Sequence, residues 1–163
     1  MPTVFITGAN RGIGLEFVRQ YAADGWTVAA TARDPDSAAE LNAIESDVTV
    51  RALDLDGDFF QIDWNGLVGT KPIDVFINNA GVMGPTKLDT IEHAAAMVHA
   101  LAVNTVAPVV LAKAMLPLVA ATKGKMVALS SKMGSIADNG SGGFIAYRAT
   151  KAGLNAAWRS LAI

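Results

Sequence analysis

An apolar, β-branched strand running straight into a glycine-spaced turn and then a helix is the feature that most restricts this chain. Residues Thr3-Val4-Phe5-Ile6-Thr7 lead into Gly8-Ala9-Asn10-Arg11-Gly12-Ile13-Gly14, after which Ile13, Phe17, Val18 and Tyr21 continue as an i, i+4, i+5, i+8 apolar stripe. Glycines at that spacing permit a sharp turn and a close approach of backbone to a ligand. The helix that follows offers free N–H groups and the positive end of its dipole, a setting suited to a pyrophosphate. Taken alone, the same glycines also fit an ordinary turn.

The pattern repeats down the chain. Short apolar runs recur at 3–7, 27–31, 48–53, 73–78 and 125–130, separated by stretches with helical spacing. The first helix is expected to end at Asp24-Gly25, and further helices are expected over 36–44 and 59–68. A long one opens with Asp89 and Glu92 as a capping box and closes at Lys123-Gly124. Asp63, Trp64 and Asn65 are mediocre helix formers, which makes 59–68 the weakest of these. Such alternation argues for an α/β fold, a doubly wound parallel sheet of Rossmann type. Right-handed crossovers give the strand order 3-2-1-4-5 and place the glycine turn at the switch point. With 163 residues, 52% of them apolar and 17% charged, the chain is expected to form a single dinucleotide-binding domain over 1–163. Residues 138–143 read as a polar, glycine-rich loop.

Several other functions are disfavoured. The net charge of −2 gives no electrostatic drive toward nucleic acid or an anionic membrane. The absence of cysteine removes disulfides and thiolate metal sites. His93 and His99 stand six apart, on different helix faces, and Asp54, Asp56 and Asp58 lack a glycine-centred calcium loop, so no metal is expected. The apolar stretch 94–121 contains His99, Asn104, Pro108, Lys113 and Pro117, which suits a buried or interface helix better than a membrane span. The start of the chain lacks the basic region and long apolar run of a secretory signal, so a cytoplasmic location is expected. The sequon at Asn139-Gly140-Ser141 is then idle.

Far downstream, Tyr147 and Lys151 lie four apart and share a helix face. Ser130-Ser131 ends the fifth apolar run, Asn104 lies mid-helix, and Asn78-Asn79-Ala80-Gly81 follows the fourth run. Each has a plainer reading: a solvated helix face, a strand-end hydrogen bond, a polar residue in a helix interface, a simple turn. In this combination and order, the motifs resemble those of the short-chain dehydrogenase/reductase family, most of all its C-factor-like and carbonyl-reductase-like branch.

The resemblance implies an oxidoreductase that interconverts a carbonyl and an alcohol by hydride transfer. Tyr147 would donate the proton. A phenol ordinarily ionises near pH 10, roughly 2–3 units above neutrality, and the nearby Lys151 charge favours the phenolate. Ser131 would hydrogen-bond the substrate oxygen, and Asn104 would hold a water linking Lys151 to solvent. Gly8, Asn10, Arg11, Gly12, Ile13, Gly14, Asp54, Leu55, Asn79, Ala80 and Gly81, with Tyr147 and Lys151, would contact the coenzyme, Asp54 beside the adenine. Ser131 precedes Tyr147 by sixteen positions, more than is usual in the family, which makes Ser135 a rival for its role.

The coenzyme reading draws on residues as well. The end of the second strand, where NAD binders carry an acidic residue, reads Thr31-Ala32-Arg33. Two guanidiniums, Arg11 and Arg33, suit a 2′-phosphate, so NADP(H) is favoured while NAD(H) stays open; alternatively Arg33 is a loop charge or pairs with Asp34 or Asp36. By resemblance the partners are a small-molecule carbonyl or alcohol and a second copy of the chain, a homo-oligomer. Family members continue with two more strands and a substrate-covering loop, so the domain is expected to be incomplete after Ile163, with the final strands of the fold absent. The alternative is a dinucleotide-binding signalling or regulatory protein of the C-factor kind, with little turnover.

Overall fold

The structure, a computed structural model, describes residues 1–55 and 62–163. In chain order the strands are β1 (Thr3–Ile6), β2 (Thr27–Ala32), β3 (Val48–Ala52), β4 (Val75–Asn78) and β5 (Lys125–Ala128). The helices are α1 (Gly12–Ala23), α2 (Ala39–Asn42), α3 (Trp64–Val68), α4 (Ile91–Leu101), α5 (Ala107–Ala120) and α6 (Ile145–Leu161). A π-helical turn, Ala102–Val106, joins α4 to α5, and a short 3₁₀ turn, Lys132–Gly134, follows β5. The sheet order is β3-β2-β1-β4-β5. Thr3 pairs with Thr27, Val4 with Val75 and Val28 with Val48, all in parallel register. The doubly wound Rossmann-type sheet expected from the alternation is the sheet observed.

Contacts cluster into two compact units, one formed by Met1–Ala80 with Leu111–Val127, the other by Gly81–Val110 with Ala128–Ile163. In the first, Val4, Phe5 and Ile6 on the central strand are all buried, as a strand covered on both faces requires. Phe5 and Phe76 meet edge to face with centroids 6.2 Å apart, which fixes β1 against β4 by shape as well as by backbone hydrogen bonds. Gly124 follows the turn after α5, where an added Cβ would sit 2.4 Å from the Asp74 carbonyl oxygen. Only glycine fits that approach. In the second unit, Ala146 and Leu154 form the buried side of α6.

The local corrections have physical causes. The buried side of α1 is Gly14, Leu15, Val18 and Ala22, whereas Ile13 is 64% exposed, so the expected stripe was rotated by about one residue. The helix expected over 36–44 shrinks to the single turn of α2; of that expected over 59–68, residues 59–61 lie outside the described residues, Ile62 and Asp63 are not helical, and the rest is α3. The N-cap of α4 is Thr90, whose hydroxyl accepts from the His93 amide at 3.2 Å, while Asp89 turns instead to the His93 ring. The Glu92 carboxyl is held below its usual range, first by its own backbone N–H and then by the Thr90 hydroxyl. At the far end of the long helix the left-handed residue is Lys123, with φ of 55°, rather than Gly124.

The continuous helical run Ile91–Ala120 has 30 residues and a mean hydropathy of 1.8 in its richest window, long and apolar enough to cross a membrane by those measures. Its burial is one-sided: Ala100, Val103, Asn104, Ala107, Leu111, Met115 and Val119 are inside, and Ile91, Val98 and Leu116 are exposed. That spacing is the helical period of a helix packed along one face.

Phe76→Ala should lower stability by about 3–5 kcal/mol, since it removes a fully buried ring and leaves a cavity on the sheet face beside Phe5. Urea unfolding should report a shifted midpoint at an unchanged slope.

Candidate active site

The glycine turn is built at the carboxyl ends of β1, β2 and β4. Past the last ladder pair, the Thr7 hydroxyl accepts hydrogen bonds from the amides of Asn79 and Ala80, both at 3.0 Å. The Asn79 side-chain amide returns two bonds, donating to the carbonyls of Thr7 at 2.9 Å and Gly8 at 2.8 Å. From β2, the Thr31 carbonyl accepts from the Ala9 amide at 2.8 Å and its hydroxyl from the Gly8 amide at 3.3 Å. Three strand ends are thereby tied to one loop.

Two of the glycines are sterically required. Gly8 has φ of 64°, and a Cβ there would lie 2.8 Å from the Ala80 Cα. At Gly14 a Cβ would come within 2.4 Å of the Gly8 carbonyl oxygen and 2.5 Å of the Asn79 side-chain nitrogen. Gly12 has φ of 57° and open space about its Cα. Arg11 occupies the N-cap position of α1 but supplies no side-chain cap, and the first helical bond runs from the Leu15 amide to the Arg11 carbonyl. The leading amides of α1 thus remain for an anion, beside backbone with no Cβ in the way. The residues fit a dinucleotide pyrophosphate. Asn10, Arg11, Gly12 and Ile13 are exposed on this turn, Arg33 is exposed directly after the buried Ala32, and Asp54 is exposed beside the buried Leu55.

The second constellation belongs to the other unit. Asn104 lies in the π turn, fully buried, and both polar atoms of its side chain are bonded: Oδ1 accepts from the Val82 amide at 2.8 Å, while Nδ2 donates to the Val82 carbonyl at 2.7 Å and the Thr150 hydroxyl at 3.1 Å. Thr150 in turn donates to the Tyr147 carbonyl at 2.8 Å, and Thr105 donates to the Thr150 carbonyl at 2.9 Å. π turns interrupt helices where a side chain or carbonyl must be re-aimed, often at functional sites. Lys151 is buried, with Nζ donating to the Leu129 carbonyl at 2.8 Å and lying 5.8 Å from the centre of the Tyr147 ring. A Cβ on Gly81 would stand 3.1 Å from Asn104 Oδ1 and 3.8 Å from Lys151 Nζ. Burial pushes the Lys151 ammonium below its ordinary pKa of 10.5.

Ser131 is extended and caps the 3₁₀ turn, its oxygen accepting from the Met133 amide at 3.1 Å. That bond uses a lone pair and leaves the hydroxyl proton to donate. Ser135 ends the same turn and accepts from the Asp138 amide at 3.2 Å, so both serines are local caps. Sequence reasoning missed Thr7, Thr31, Val82 and Thr150, which hold the named residues in place. A signal existed for the first two: Thr7 and Thr31 close matching apolar runs, and extending the observed pairing of Ile6 with Ala30 sets them side by side.

The fold and these two constellations define a protein of the doubly wound, dinucleotide-binding type. A family model for short chain dehydrogenases matches residues 2–163, and the chain belongs to that family. It is 43% identical over 96 residues to the C-signal protein of Myxococcus xanthus, a match covering 58% of this chain and 57% of that one. Carbonyl reductase Sniffer of Caenorhabditis elegans superposes with a TM-score of 0.85 at 37% identity, covering 99% of this chain and 79% of its own. A carbonyl reductase from Pseudomonas aeruginosa PAO1 in complex with NADP superposes with a TM-score of 0.88 at 32% identity, covering 99% and 72%. The chain spans roughly three fifths of the first curated relatives it matches, 57% and 59% of their lengths.

Two predictions follow from this geometry. Gly14→Ala should destabilise the chain by about 1–3 kcal/mol, because its methyl displaces the Asn79 amide from the turn. Thermal melting against the wild type measures it. Lys151→Met should be more stable than wild type at neutral pH, because it removes the cost of taking the ammonium out of water. Between the depressed folded pKa and the unfolded value near 10.5, the unfolded chain binds the extra proton, so wild-type stability rises with pH. The gap between the two proteins should therefore narrow toward pH 10.5 in denaturant titrations.

Proposed function

We propose that this chain carries the catalytic and coenzyme-binding residues of an NADP(H)-dependent oxidoreductase that interconverts a small carbonyl compound and its alcohol. The observation that carries the reading is the buried Lys151 ammonium, fixed by the Leu129 carbonyl and directed at the Tyr147 ring, in a chain of the short-chain dehydrogenase family. When bound, the nicotinamide coenzyme supplies or accepts the hydride. The residues of the chain do the rest. Gly8, Gly12 and Gly14 clear backbone for the pyrophosphate, and Arg11 and Arg33 take the 2′-phosphate through charged hydrogen bonds. Ser131 donates its hydroxyl proton toward the substrate oxygen and holds it in line with Tyr147. Tyr147 delivers a proton to that oxygen in reduction and recovers it in oxidation. Lys151 favours the phenolate between turnovers, and Asn104, Asn79, Ala80 and Gly81 hold the surrounding backbone. The working form is a cytoplasmic homo-oligomer.

A second reading, a dinucleotide-binding signalling protein with little turnover, is favoured by the identity with the C-signal protein. Consumption of NADPH over a panel of aldehydes, ketones and quinones separates the two. The reductase reading expects turnover that Tyr147→Phe abolishes at nearly unchanged NADPH affinity; binding without turnover across the panel would leave the signalling reading. Arg33→Asp should weaken NADPH binding roughly ten-fold or more, the loss of a charged contact of about 1.5–3 kcal/mol, with NADH little affected. Equal NADPH affinity in that variant, by fluorescence titration, would remove the coenzyme assignment.

A further inference from the structure

The residue after Tyr147 sits where electrostatics alone would not put it. Arg148 lies in the first turns of α6, a position where the helix dipole disfavours a positive charge, and no acidic residue occupies that first turn to offset it. Its guanidinium reaches back past the helix N-terminus. Nε donates to the Gly143 carbonyl at 3.0 Å, and Nη2 donates to the Gly142 carbonyl at 3.2 Å and to the Ser141 hydroxyl at 3.1 Å.

The backbone it grips is strained. Gly142, Gly143 and Phe144 have consecutive positive φ angles of 63°, 69° and 49°. Glycine adopts that region freely, but phenylalanine does not, and a non-glycine residue held there signals surroundings that enforce it. Phe144 is also the N-cap residue of α6, with no side-chain cap of its own, and its carbonyl accepts the Arg148 amide at 2.9 Å. Asn139 supplies one further tie through Oδ1, which accepts from the Gly142 amide at 3.1 Å. A planar fork bonded to two successive carbonyls restrains orientation as well as distance, which a flexible ammonium does less well.

We infer that Arg148 is a positioning residue: it locks the left-handed turn Gly142-Gly143-Phe144 and thereby sets the first turn of α6 that carries Tyr147. The catalytic consequence rests on the reductase reading; the clamp does not.

The test compares the full wild-type chain with Arg148→Ala, Arg148→Lys and the double variant Arg148→Ala/Phe144→Asn. Amide hydrogen exchange is followed over residues 139–148, and NADPH-dependent reduction of 4-nitrobenzaldehyde is followed in parallel. Arg148→Ala should speed exchange in 139–148 about ten-fold or more while β1 and β4 stay protected. Its kcat should fall by roughly 10- to 100-fold, the scale of a misplaced reacting group, with NADPH affinity and the shape of the pH profile unchanged. Arg148→Lys should fall between. Asparagine tolerates the left-handed region, so Phe144→Asn in the Arg148→Ala background should recover much of both signals, which a general loss of stability would not. Unchanged exchange in Arg148→Ala overturns the clamp, and faster exchange with unchanged kcat overturns its catalytic role. If the wild type shows no reduction of any carbonyl probe, the reductase reading fails by itself, and the exchange data still decide the clamp.

Discussion

The Thr7 hydroxyl is the contact on which the glycine turn after β1 depends. Beyond the final ladder bonds of a parallel sheet, backbone amides at the strand ends need other partners, and an unsatisfied buried one costs about 1–3 kcal/mol. Thr7 satisfies two of them, from Asn79 and Ala80. The net gain per bond is about 0.5–1.5 kcal/mol, so the arrangement matters less for total stability than for geometry. It pulls Ala80 so close to Gly8 that no side chain fits there, and the exchange of bonds with Asn79 leaves no room for one at Gly14. The glycines answer a packing constraint created by a threonine.

The other unit solves a harder problem, the burial of a lysine. Lys151 is held by the Leu129 carbonyl and its proximity to the Tyr147 ring, and its depressed pKa registers the cost of removing the ammonium from water. A lysine that served only stability would be better exposed, with its charged head in solvent. Around it the bonds of Asn104, Thr150 and Thr105 tie the π turn to α6 without adding another charge. Fully satisfied polar networks of this kind hold one arrangement, since any shift strands a buried donor or acceptor.

The parts of the fold legible from sequence were those that depend on chain-local chemistry. Strand runs, the glycine turn and the order of elements follow from β-branched clusters and glycine spacing, and the sheet order followed from the handedness of crossovers. The strand runs at 73–78 and 125–130 proved shorter; ahead of β4 the Ile73 amide donates to the Leu118 carbonyl of α5, outside the sheet ladder. The rotation error in α1 arose because Ile13 faces away from the protein despite being apolar, while the small Gly14 faces inward. No hydropathy pattern distinguishes those cases. Tyr147 and Lys151 stood out by their types and spacing, while Ser131 and Asn104 were named through the resemblance to the family. The residues that hold them could not, since Val82 contributes only backbone atoms and Thr150 resembles any helix threonine until its neighbours are known.

The π turn at Ala102–Val106 stores a residue of chain within a single turn. Each residue of an α-helix advances by about 100°, and a π turn spreads one residue more over nearly the same sweep. Loss of a single residue there would close the turn to an ordinary α-helical one, and α5 would keep Leu111, Met115 and Val119 inside and Leu116 outside. What would change is the turn itself, and with it the setting of the buried Asn104. The extra residue is slack held inside a helix, and the asparagine is where it is spent.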